Sequence, residues 1–513
     1  MPVQNPGVSS LFALHNLHKT QRTMGDSIER LSSGKRINHA GDDAAGGAIA
    51  DRMTAQIKGL NMSVRNASDV LSMAQVAEGA LDESSKVLQR IRELAIQSAS
   101  DLMNGEERLY LQTEANQLIA ELDRVARDTT FNEIAVLDGT FADRRFQIGS
   151  KEREAATVSI GNLRTTAIGN HTVRTTATAG TSTDNNATAV SLGSADTIAD
   201  EDFTIHGLLG SKTIDVVAGS TARDVAEAVN IQFDQTGVSS TASTNMKIQA
   251  KGTAGSATLS IGLQGKNTTV RTVSAGITLA TAVGTSDLTG LSNAINAYSA
   301  ETGIVAVLSA DKATVYLTQD EGYNIALTDL DFADTTDDSR DLQVTGMDAR
   351  LFDADGSELL SGSAKTMTDT SHSSGSGKDA IVGGQVMMHS SHSFTATTTN
   401  TNADLFESSP GAATLNKVSE LSLRSRSKAI DALKVVDKAL DKVHMERAKL
   451  GAVMSRMHQA IDNLTNVSAN TSSAKSRIVD ADMAAESAEL AKAQVLQQSA
   501  MAMIAQASRA QQS

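Results

Sequence analysis

The feature that most constrains this chain is an unbroken heptad series near its C-terminal end. Apolar side chains recur every three or four positions from residue 433 to residue 471, and nine of the first ten positions are apolar. The series is Leu433, Val436, Leu440, Val443, Arg447, Leu450, Met454, Met457, Ile461, Leu464, Ser468 and Thr471. A stripe with this period lies along one face of an α-helix and packs against a partner helix.

Two further apolar series lie toward the other end of the chain. They are Ile49, Met53, Ile57, Leu60, Val64, Ala67, Leu71, Ala74, Leu81 and Leu88, followed by Leu111, Ala115, Leu118, Leu122 and Val125. Because each series needs a partner helix, we predict that the two ends of the chain pack together as a coiled-coil rod. About 300 residues of different character lie between them.

The composition limits the kinds of core and of chemistry that are available. The chain has 513 residues, enough for several domains, with no Cys, no Trp, four Tyr and ten Phe. Without Cys there are no disulfides, no thiol catalysis and no thiolate metal sites. No apolar run approaches the ~20 residues of a membrane span. The first 25 residues also lack the basic and apolar segments of a secretory signal.

Charge separates the middle of the chain from its ends. Residues 173–412 contain 12 Lys and Arg against 28 Asp and Glu, whereas the remainder contains 33 against 32. The net charge of −15 therefore resides in the middle, which we interpret as an acidic outer surface. The same negative charge argues against a nucleic-acid-binding function.

Long helices are predicted at both ends, because proline occurs only at Pro2, Pro6 and Pro410. The predicted helices span residues 8–33, 46–99, 106–128, 415–470 and 483–508, and the fourth would be about 80 Å long at ~1.5 Å per residue. Asn104-Gly105 is predicted to form the turn between the second and third helices. Alternating apolar residues within 141–165 predict a β-hairpin beside the helices.

The middle of the chain contains an internal repeat with an offset of 66 residues. Ala228-Val229-Asn230 and Thr236-Gly237-Val238 recur as Ala294-Ile295-Asn296 and Thr302-Gly303-Ile304. In both copies a short amphipathic helix is predicted before the Thr-Gly pair, and in the second copy a hairpin should follow, at 304–318. Residues 361–402, rich in Ser, Thr and Gly, are predicted to be exposed loop.

Three segments resemble ligand sites, and each has a simpler explanation. Residues 207–213 miss the glycine spacing of a phosphate loop and are better explained as a strand turn. Asp353, Asp355 and Glu358 resemble a calcium loop with a misplaced glycine, while His389 and His392 lack a third metal ligand. No Ser/His/Asp set can be assembled. We therefore predict that the protein is not an enzyme and uses no cofactor or metal.

Motifs at both ends resemble those of bacterial flagellins. At the N-terminal end these are RLSSGKRINHAGDDAAGGAIADRM (30–53), LQRIRELAIQSAS (88–100), TTFNEIAVLDG (129–139) and FQIG (146–149). At the C-terminal end they are RAKLGAVMSRM (447–457), AKSRIVDAD (474–482) and KAQVLQQ (492–498). The repeat in the middle resembles the small inserts in the outer parts of flagellins and hook proteins.

The resemblance implies a structural subunit that self-assembles into the flagellar filament for motility, with an α+β, elongated, multi-domain fold. The implied domains are an inner-tube helix at 1–45, a helical rod with a β-hairpin at 46–172, β-rich outer domains at 173–412, a rod helix at 413–471 and an inner-tube helix at 472–513. The outer part would hold two repeat modules, at about 200–275 and about 276–345.

The resemblance also implies partners and a location. Flagellins leave the cell by the flagellar type III route through the filament's own channel, which agrees with the missing secretory signal and the absence of Cys. The implied partners are further copies of the chain, a flagellar export chaperone, the cap protein, hook-associated proteins and the host Toll-like receptor that senses flagellin. Nucleic acid and membrane insertion are not implied, and the implied location is the extracellular flagellum.

Two sets of residues are candidates for contacts. The bundle seam comprises Leu433, Val436, Leu440, Val443, Leu450, Met457, Ile461 and Leu464 with Ile57, Leu60, Val64 and Leu71. The receptor patch, carried over from the family, comprises Gln89, Arg90, Leu94, Gln97 and Glu114. In an alternative interpretation Leu94 packs inside the bundle while Arg90 pairs with Glu93 or Glu114. The Ala-rich stretch at 483–507 predicts close helix contacts between subunits.

Other functions stay open on these observations. The chain stops at Gln511-Gln512-Ser513 without the family's last apolar residues, and Met454-Ser455 stands where the family commonly has Gln-Asn. A hook–filament junction protein shares the same end architecture, although the full LQRIRELA and SRIVDAD motifs favour the main filament subunit. The middle could also display an adhesive domain or an enzyme.

Overall fold

The fold is α+β, with long helices at both ends of the chain and sheets in its middle. The computed structural model describes residues 8–175, 179–180, 202–217, 220–332, 340–352, 358–360, 364–368, 379–398 and 411–510. The helices of this part are α1 (Val8–Ser33), α2 (Ala44–Ser98), α3 (Gly105–Asp128), α4 (Ala222–Ile231), α5 (Phe233–Thr236), α6 (Thr289–Asn296), α7 (Ser299–Thr302), α8 (Arg426–Val479) and α9 (Met483–Ala510). None of them is both long enough and apolar enough to cross a bilayer.

All the strands named for the described residues lie between α3 and α8. They are β1 (Thr130–Phe131), β2 (Ile134–Ala135), β3 (Arg144–Gln147), β4 (Ala155–Val158), β5 (Gly169–Arg174), β6 (Ala179–Gly180), β7 (Phe203–His206), β8 (Ser211–Ile214), β9 (Ser239–Lys251), β10 (Gly255–Gln264), β11 (Arg271–Leu279), β12 (Val305–Leu308), β13 (Val315–Gln319), β14 (Ile325–Phe332), β15 (Asp341–Phe352), β16 (Glu358–Leu360), β17 (Lys365–Thr368), β18 (Ala380–Val382), β19 (Gln385–Ser390), β20 (Thr395–Thr398), β21 (Gly411–Ala412) and β22 (Thr414–Lys417).

The chain divides into two compact units, the first of which is mainly helical. It comprises the described residues within Met1–Ala80, Thr129–Gly161 and Glu446–Ser513, and therefore contains α1, α9, the first part of α2 and the last part of α8. The hairpin β3–β4 confirms the one predicted within 141–165. It is fixed to α2 by Asn66, whose Nδ2 donates to the main-chain oxygen of Gln147 at 2.9 Å.

The second unit begins with a small helical core. It comprises Leu81–Asp128 and the described residues within Asn162–Met445. Leu94 and Ala95 of α2, Ala115 of α3, and Ala429 and Ala432 of α8 are buried together there. The predicted turn between α2 and α3 is confirmed and is closed by a capping box. The main-chain nitrogen of Glu107 donates to Asn104 Oδ1 at 2.8 Å, and the main-chain nitrogen of Asn104 donates to Glu107 Oε2 at 2.9 Å.

Antiparallel sheets make up the rest of the second unit. The largest has the order β12-β13-β9-β19-β5-β22, with β15 also paired to β9. A second has the order β11-β10-β14-β18-β6, and a third has the order β21-β20-β7-β8. Strand β5 pairs with β22 so that Thr172 lies opposite Thr414, which joins segments more than two hundred residues apart in sequence. The segment between β5 and β22 therefore begins and ends at this one strand pair.

The sequence repeat is also a structural repeat. In each copy a helix, α4 or α6, is followed by a short helical turn, a glycine and a strand. The glycines, Gly237 and Gly303, have φ of 72° and 70°, a left-handed conformation that favours glycine. Four apolar positions at an offset of 66 are buried in both copies, namely Ala222 and Leu288, Val225 and Leu291, Val229 and Ile295, and Val238 and Ile304.

The asparagine of each copy binds the strand that follows the glycine. Asn230 Nδ2 donates to the main-chain oxygen of Ser240 at 3.0 Å, and the main-chain nitrogen of Ser240 donates to Asn230 Oδ1 at 2.8 Å. Asn296 makes the same two bonds with Ala306, both at 2.8 Å. The threonine hydroxyls, Thr236 and Thr302, likewise accept from the nitrogen two residues later in each copy. The equivalent residues of the two copies therefore make the same hydrogen bonds.

Two predicted segments are wrong. The fourth helix begins at Arg426 and not at residue 415, because 414–417 pairs with β5 as strand β22 and Val418–Glu420 forms a 3-10 turn. It also ends at Val479 and not at residue 470. Within 361–402, predicted as exposed loop, the described residues include β17, β18, β19 and β20, and every residue of β19 is buried. The acidic residues 353 and 355 of the calcium-like loop lie outside the described residues, as does the side chain of Glu358.

Candidate assembly surfaces

The C-terminal apolar series forms one continuous low-exposure face on α8. Val436, Val443, Leu450 and Met457 are buried, at 0–2% exposure. The intervening positions are half-buried, and these are Leu433, Leu440, Arg447, Met454, Ile461, Leu464, Ser468 and Thr471. A face in which no member is exposed lies against other elements along its whole length.

The N-terminal series behaves in the same way except at its start. Leu60, Ala67, Ala74, Leu81 and Leu88 are buried. Met53, Ile57, Val64 and Leu71 are half-buried, whereas Ile49 is 38% exposed. Within the first unit α2 contacts α8 through two polar members of the C-terminal series. Ser468 Oγ lies 3.0 Å from Asn61 Oδ1, and the guanidinium of Arg447 lies 3.7 Å from Glu78.

The two terminal helices, α1 and α9, pack on each other and are joined at one end by main-chain hydrogen bonds. The main-chain nitrogen of Arg36 donates to the oxygen of Val479 at 2.6 Å, and that of Ala481 donates to the oxygen of Gly34 at 3.0 Å. Arg30 lies 3.8 Å from Glu486. The positions of α9 with the least exposure follow a heptad spacing and are Glu486, Leu490, Ala493, Gln497, Ala500 and Ile504.

The other faces of α1 and α9 carry exposed apolar side chains. On α1 they include Leu11 at 51% exposure and Phe12 at 65%. On α9 they include Val495 at 61% and Met503 at 67%, together with Leu496 and Met501. The small residues between them, Ala484, Ala485, Ala488, Ala491, Ala502 and Ala505, are exposed as well. This pair therefore presents an extended apolar surface that the chain itself leaves uncovered within the described residues.

The receptor patch is only partly on the surface. Gln89, Arg90, Gln97 and Glu114 are exposed. Leu94 is 1% exposed, because it lies in the helical core of the second unit. The prediction that Leu94 is a surface contact is therefore wrong. The alternative, in which Leu94 packs inside the bundle, describes its environment. Arg90 donates to Glu93 at 2.8 Å and to Glu114 at 2.7 Å, and these bonds raise the pKa of its guanidinium.

Of the two histidines predicted to lie in a loop, His389 is in a strand and His392 follows that strand. His389 belongs to β19 and is 4% exposed, within hydrogen-bond distance of Asn170 Nδ2 at 2.9 Å and of Thr241 Oγ1 at 3.1 Å. Burial and the positive charges of Lys434, Lys438 and Arg174 lower the pKa of His389 to about 3. In the part of the chain that the structure describes, no three His, Asp or Glu side chains form a group that could hold a metal.

Family comparisons agree with the arrangement of the helices. Residues 5–142 match the bacterial flagellin N-terminal helical region, and residues 433–513 match the C-terminal helical region. Residues 202–254, which contain the first repeat copy, match the flagellin hook IN motif. The B-type flagellin of Pseudomonas aeruginosa is 35% identical over 506 residues, which cover 98% of this chain and 97% of that protein. The chain belongs to the bacterial flagellin family.

Other flagellins match over the same extent. A flagellin of Salmonella typhimurium is 32% identical over 533 residues, covering 99% of this chain and 98% of that protein. Among solved structures, FliC from Burkholderia pseudomallei covers 75% of this chain at 15% identity and a TM-score of 0.28, which adds nothing to the sequence match. As a member of the flagellin family the protein is a structural subunit of the flagellar filament and serves motility. The family and function predicted from the end motifs are confirmed.

Proposed function

We propose that α1 and α9 form the contacts that line the filament's inner tube, with the α2–α3–α8 seam residues in the next shell and 173–412 facing solvent. The observation that carries this proposal is the uncovered apolar surface of the two terminal helices, which includes Phe12 and Met503. Monomeric proteins seldom leave extended apolar patches in water, and such patches mark interaction sites. A homopolymer supplies the cover from neighbouring copies.

The first test removes each terminal helix separately. Deletion of residues 1–40 or of residues 475–513 should leave a soluble, folded protein that forms no filaments. Helices gain most of their stability from packing, and each deletion removes one of the two helices that would pack between subunits. Sedimentation and electron microscopy at polymerising salt measure the outcome. A charge substitution on the uncovered face, Phe12→Asp, should block assembly with little effect on monomer melting. Filaments that form from either truncation would contradict the assignment.

We further propose an extracellular location and the partners that the family implies. These are an export chaperone, a cap protein and hook-associated proteins, and the absence of Cys suits export of an uncrosslinked chain. We also propose that the chain has no catalytic activity of its own, since its family is structural. Culture supernatants of a strain that lacks the export apparatus should contain none of the protein, whereas its cell pellet should retain it.

The receptor patch stays a proposal in a reduced form, with Gln89, Arg90, Gln97 and Glu114 as the contact residues. A reporter assay with soluble monomer should show at least a tenfold loss of potency, about 1.4 kcal/mol, for the double variant Arg90→Ala with Gln97→Ala. Gln75→Ala, at another exposed position of α2, should leave the potency unchanged. Unaltered potency in the double variant would exclude this patch.

A further inference from the structure

A cleft in the second unit has no role in the packing described above. It has a volume of about 610 Å³ and lies between the strands β5, β19 and β22 and the first turns of α8. Pockets of a few hundred cubic ångströms commonly hold small ligands. The lining side chains that matter are Asn170, Thr172, Arg174, His389, Ser427 and Lys434. Amides, hydroxyls and cations thus meet in one concave site, which the carboxylates of Glu420 and Asp431 also line.

Lys434 supplies the charge that is available to a ligand. Arg174 is held by Asp348 at 2.8 Å. Two other cations of the cleft are also paired, Lys417 with Glu420 at 3.0 Å and Arg426 with Asp101 at 3.0 Å. Lys434 makes no hydrogen bond or ion pair within the described residues. It lies close enough to His389 to disfavour a second positive charge there, with Arg174 and Lys438 acting in the same direction. The floor of the cleft is therefore positive around a neutral imidazole.

Asn170 requires a hydrogen-bond donor. The residue is 2% exposed, its Nδ2 lies 2.9 Å from His389 Nδ1, and its Oδ1 has no partner among the described residues. A buried amide oxygen without a hydrogen bond destabilises the fold. The site therefore calls for an anion at Lys434 and a donor at Asn170. Phosphate at neutral pH offers mainly acceptors, and an amino acid would bring an ammonium group against Lys434 and Arg174.

We propose that this cleft binds an acidic saccharide. The carboxylate pairs with Lys434 Nζ, and ring hydroxyls donate to Asn170 Oδ1 and exchange hydrogen bonds with Thr172 and Ser427. A uronic acid carries both kinds of group on one ring, and the volume of the cleft exceeds that of a single sugar. The subunit would then be a carbohydrate-binding surface in addition to a filament component, and its recognition would be independent of polymerisation.

Titration calorimetry on the full-length monomer tests the proposal, so a failure of assembly does not affect the result. D-glucuronate is the probe, with D-glucose and inorganic phosphate as comparison ligands. We expect a dissociation constant of about 1 mM or tighter for glucuronate and at least tenfold weaker binding of glucose and phosphate. Lys434→Gln should weaken glucuronate binding at least tenfold. Lys212→Gln, an exposed lysine of the same unit that does not line the cleft, should leave it unchanged.

Three outcomes would overturn the proposal. The first is that glucuronate gives no heat of binding at any concentration that the calorimeter can reach. The second is that phosphate binds as tightly as glucuronate, and the third is that Lys434→Gln binds glucuronate like the parent protein. A thermal melt of each variant checks that the second unit is folded. Ser427→Ala, which removes only a hydroxyl on the exposed side of the cleft, provides a second variant and should weaken binding severalfold.

Discussion

Replacing Asn296 by alanine removes two of the hydrogen bonds by which α6 holds strand β12, and leaves the one that Ser292 Oγ donates to the main-chain oxygen of Ala306 at 3.3 Å. Strand β12 is the edge of its sheet, and the main-chain N–H and C=O of Ala306 point away from β13 toward the asparagine side chain. Ala306 is 5% exposed, so water replaces these bonds poorly. The side chain thus acts in place of a further strand at this edge.

The expected cost follows from the two bonds. Each intramolecular hydrogen bond contributes about 1 kcal/mol, and leaving a buried main-chain group unpaired adds to the loss, so Asn296→Ala should cost about 2–3 kcal/mol. Asn230→Ala in the first copy loses the equivalent pair to Ser240 and should cost a similar amount. Asn296→Asp keeps an acceptor for the Ala306 N–H but sets a carboxylate oxygen against its C=O. It should be at least as destabilising as alanine.

The assay needs a local signal, because a chain of two units need not unfold in one step. Hydrogen exchange at the Ala306 amide reports the β12 edge directly, and urea denaturation of the monomer reports the free energy of unfolding. Asn293→Ala is the matched control, since Asn293 lies one turn earlier on α6 with an exposed side chain. If Asn296→Ala leaves Ala306 exchange unchanged and shifts unfolding by less than about 0.5 kcal/mol, the edge-binding role is refuted.

Three further perturbations have expected outcomes. Leu450→Asp should cost about 3–5 kcal/mol in chemical denaturation by placing a charge in the seam, whereas Ala448→Asp on the exposed side of α8 should change little. Removal of residues 173–412 should preserve filaments by electron microscopy, because Thr172 and Thr414 are already paired and a short turn can join them. The pKa of His389 is lower in the folded than in the unfolded chain, so its neutral imidazole stabilises the fold above about pH 6.5. This stabilisation is lost as the pH falls toward 3, and the loss is about 2–3 kcal/mol at pH 4.5. His389→Gln should flatten that loss between pH 7 and pH 4.5 in thermal melts, and an equal pH dependence in the two proteins would contradict the assignment.

The sequence predicts the long helices closely because their apolar spacing is a local signal. The boundaries of α1, α2 and α3 fall within two residues of the predicted ones, and the repeat around Asn230 and Asn296 is recovered with its hairpin. Strands β19 and β22 were missed because their partners are distant: β22 pairs with β5, and β19 pairs with both β5 and β9. A Ser- and Thr-rich composition gives no local indication of such long-range pairing.

The candidate contact residues show the same limit. A helical period identifies which residues share a face, but it does not say which face is covered. Leu94 shares a helix with exposed Arg90 and Gln97, yet α3 and α8 bury it. His389 and Asn170 are more than two hundred positions apart in sequence, and only the pairing of β5 with β19 brings them together. The cleft beside them therefore had no signature in the sequence.

The joint between α1 and α9 depends on segments from both ends of the described chain. Gly34 and Arg36 find their main-chain partners at Ala481 and Val479, so two segments more than four hundred residues apart in sequence are joined. A fragment cut anywhere between those segments carries one helix without its mate. Pairs so remote in sequence also form late, because the intervening loop must close first. A protein that lacks either terminal helix therefore loses this joint, whereas the internal deletion of residues 173–412 retains it.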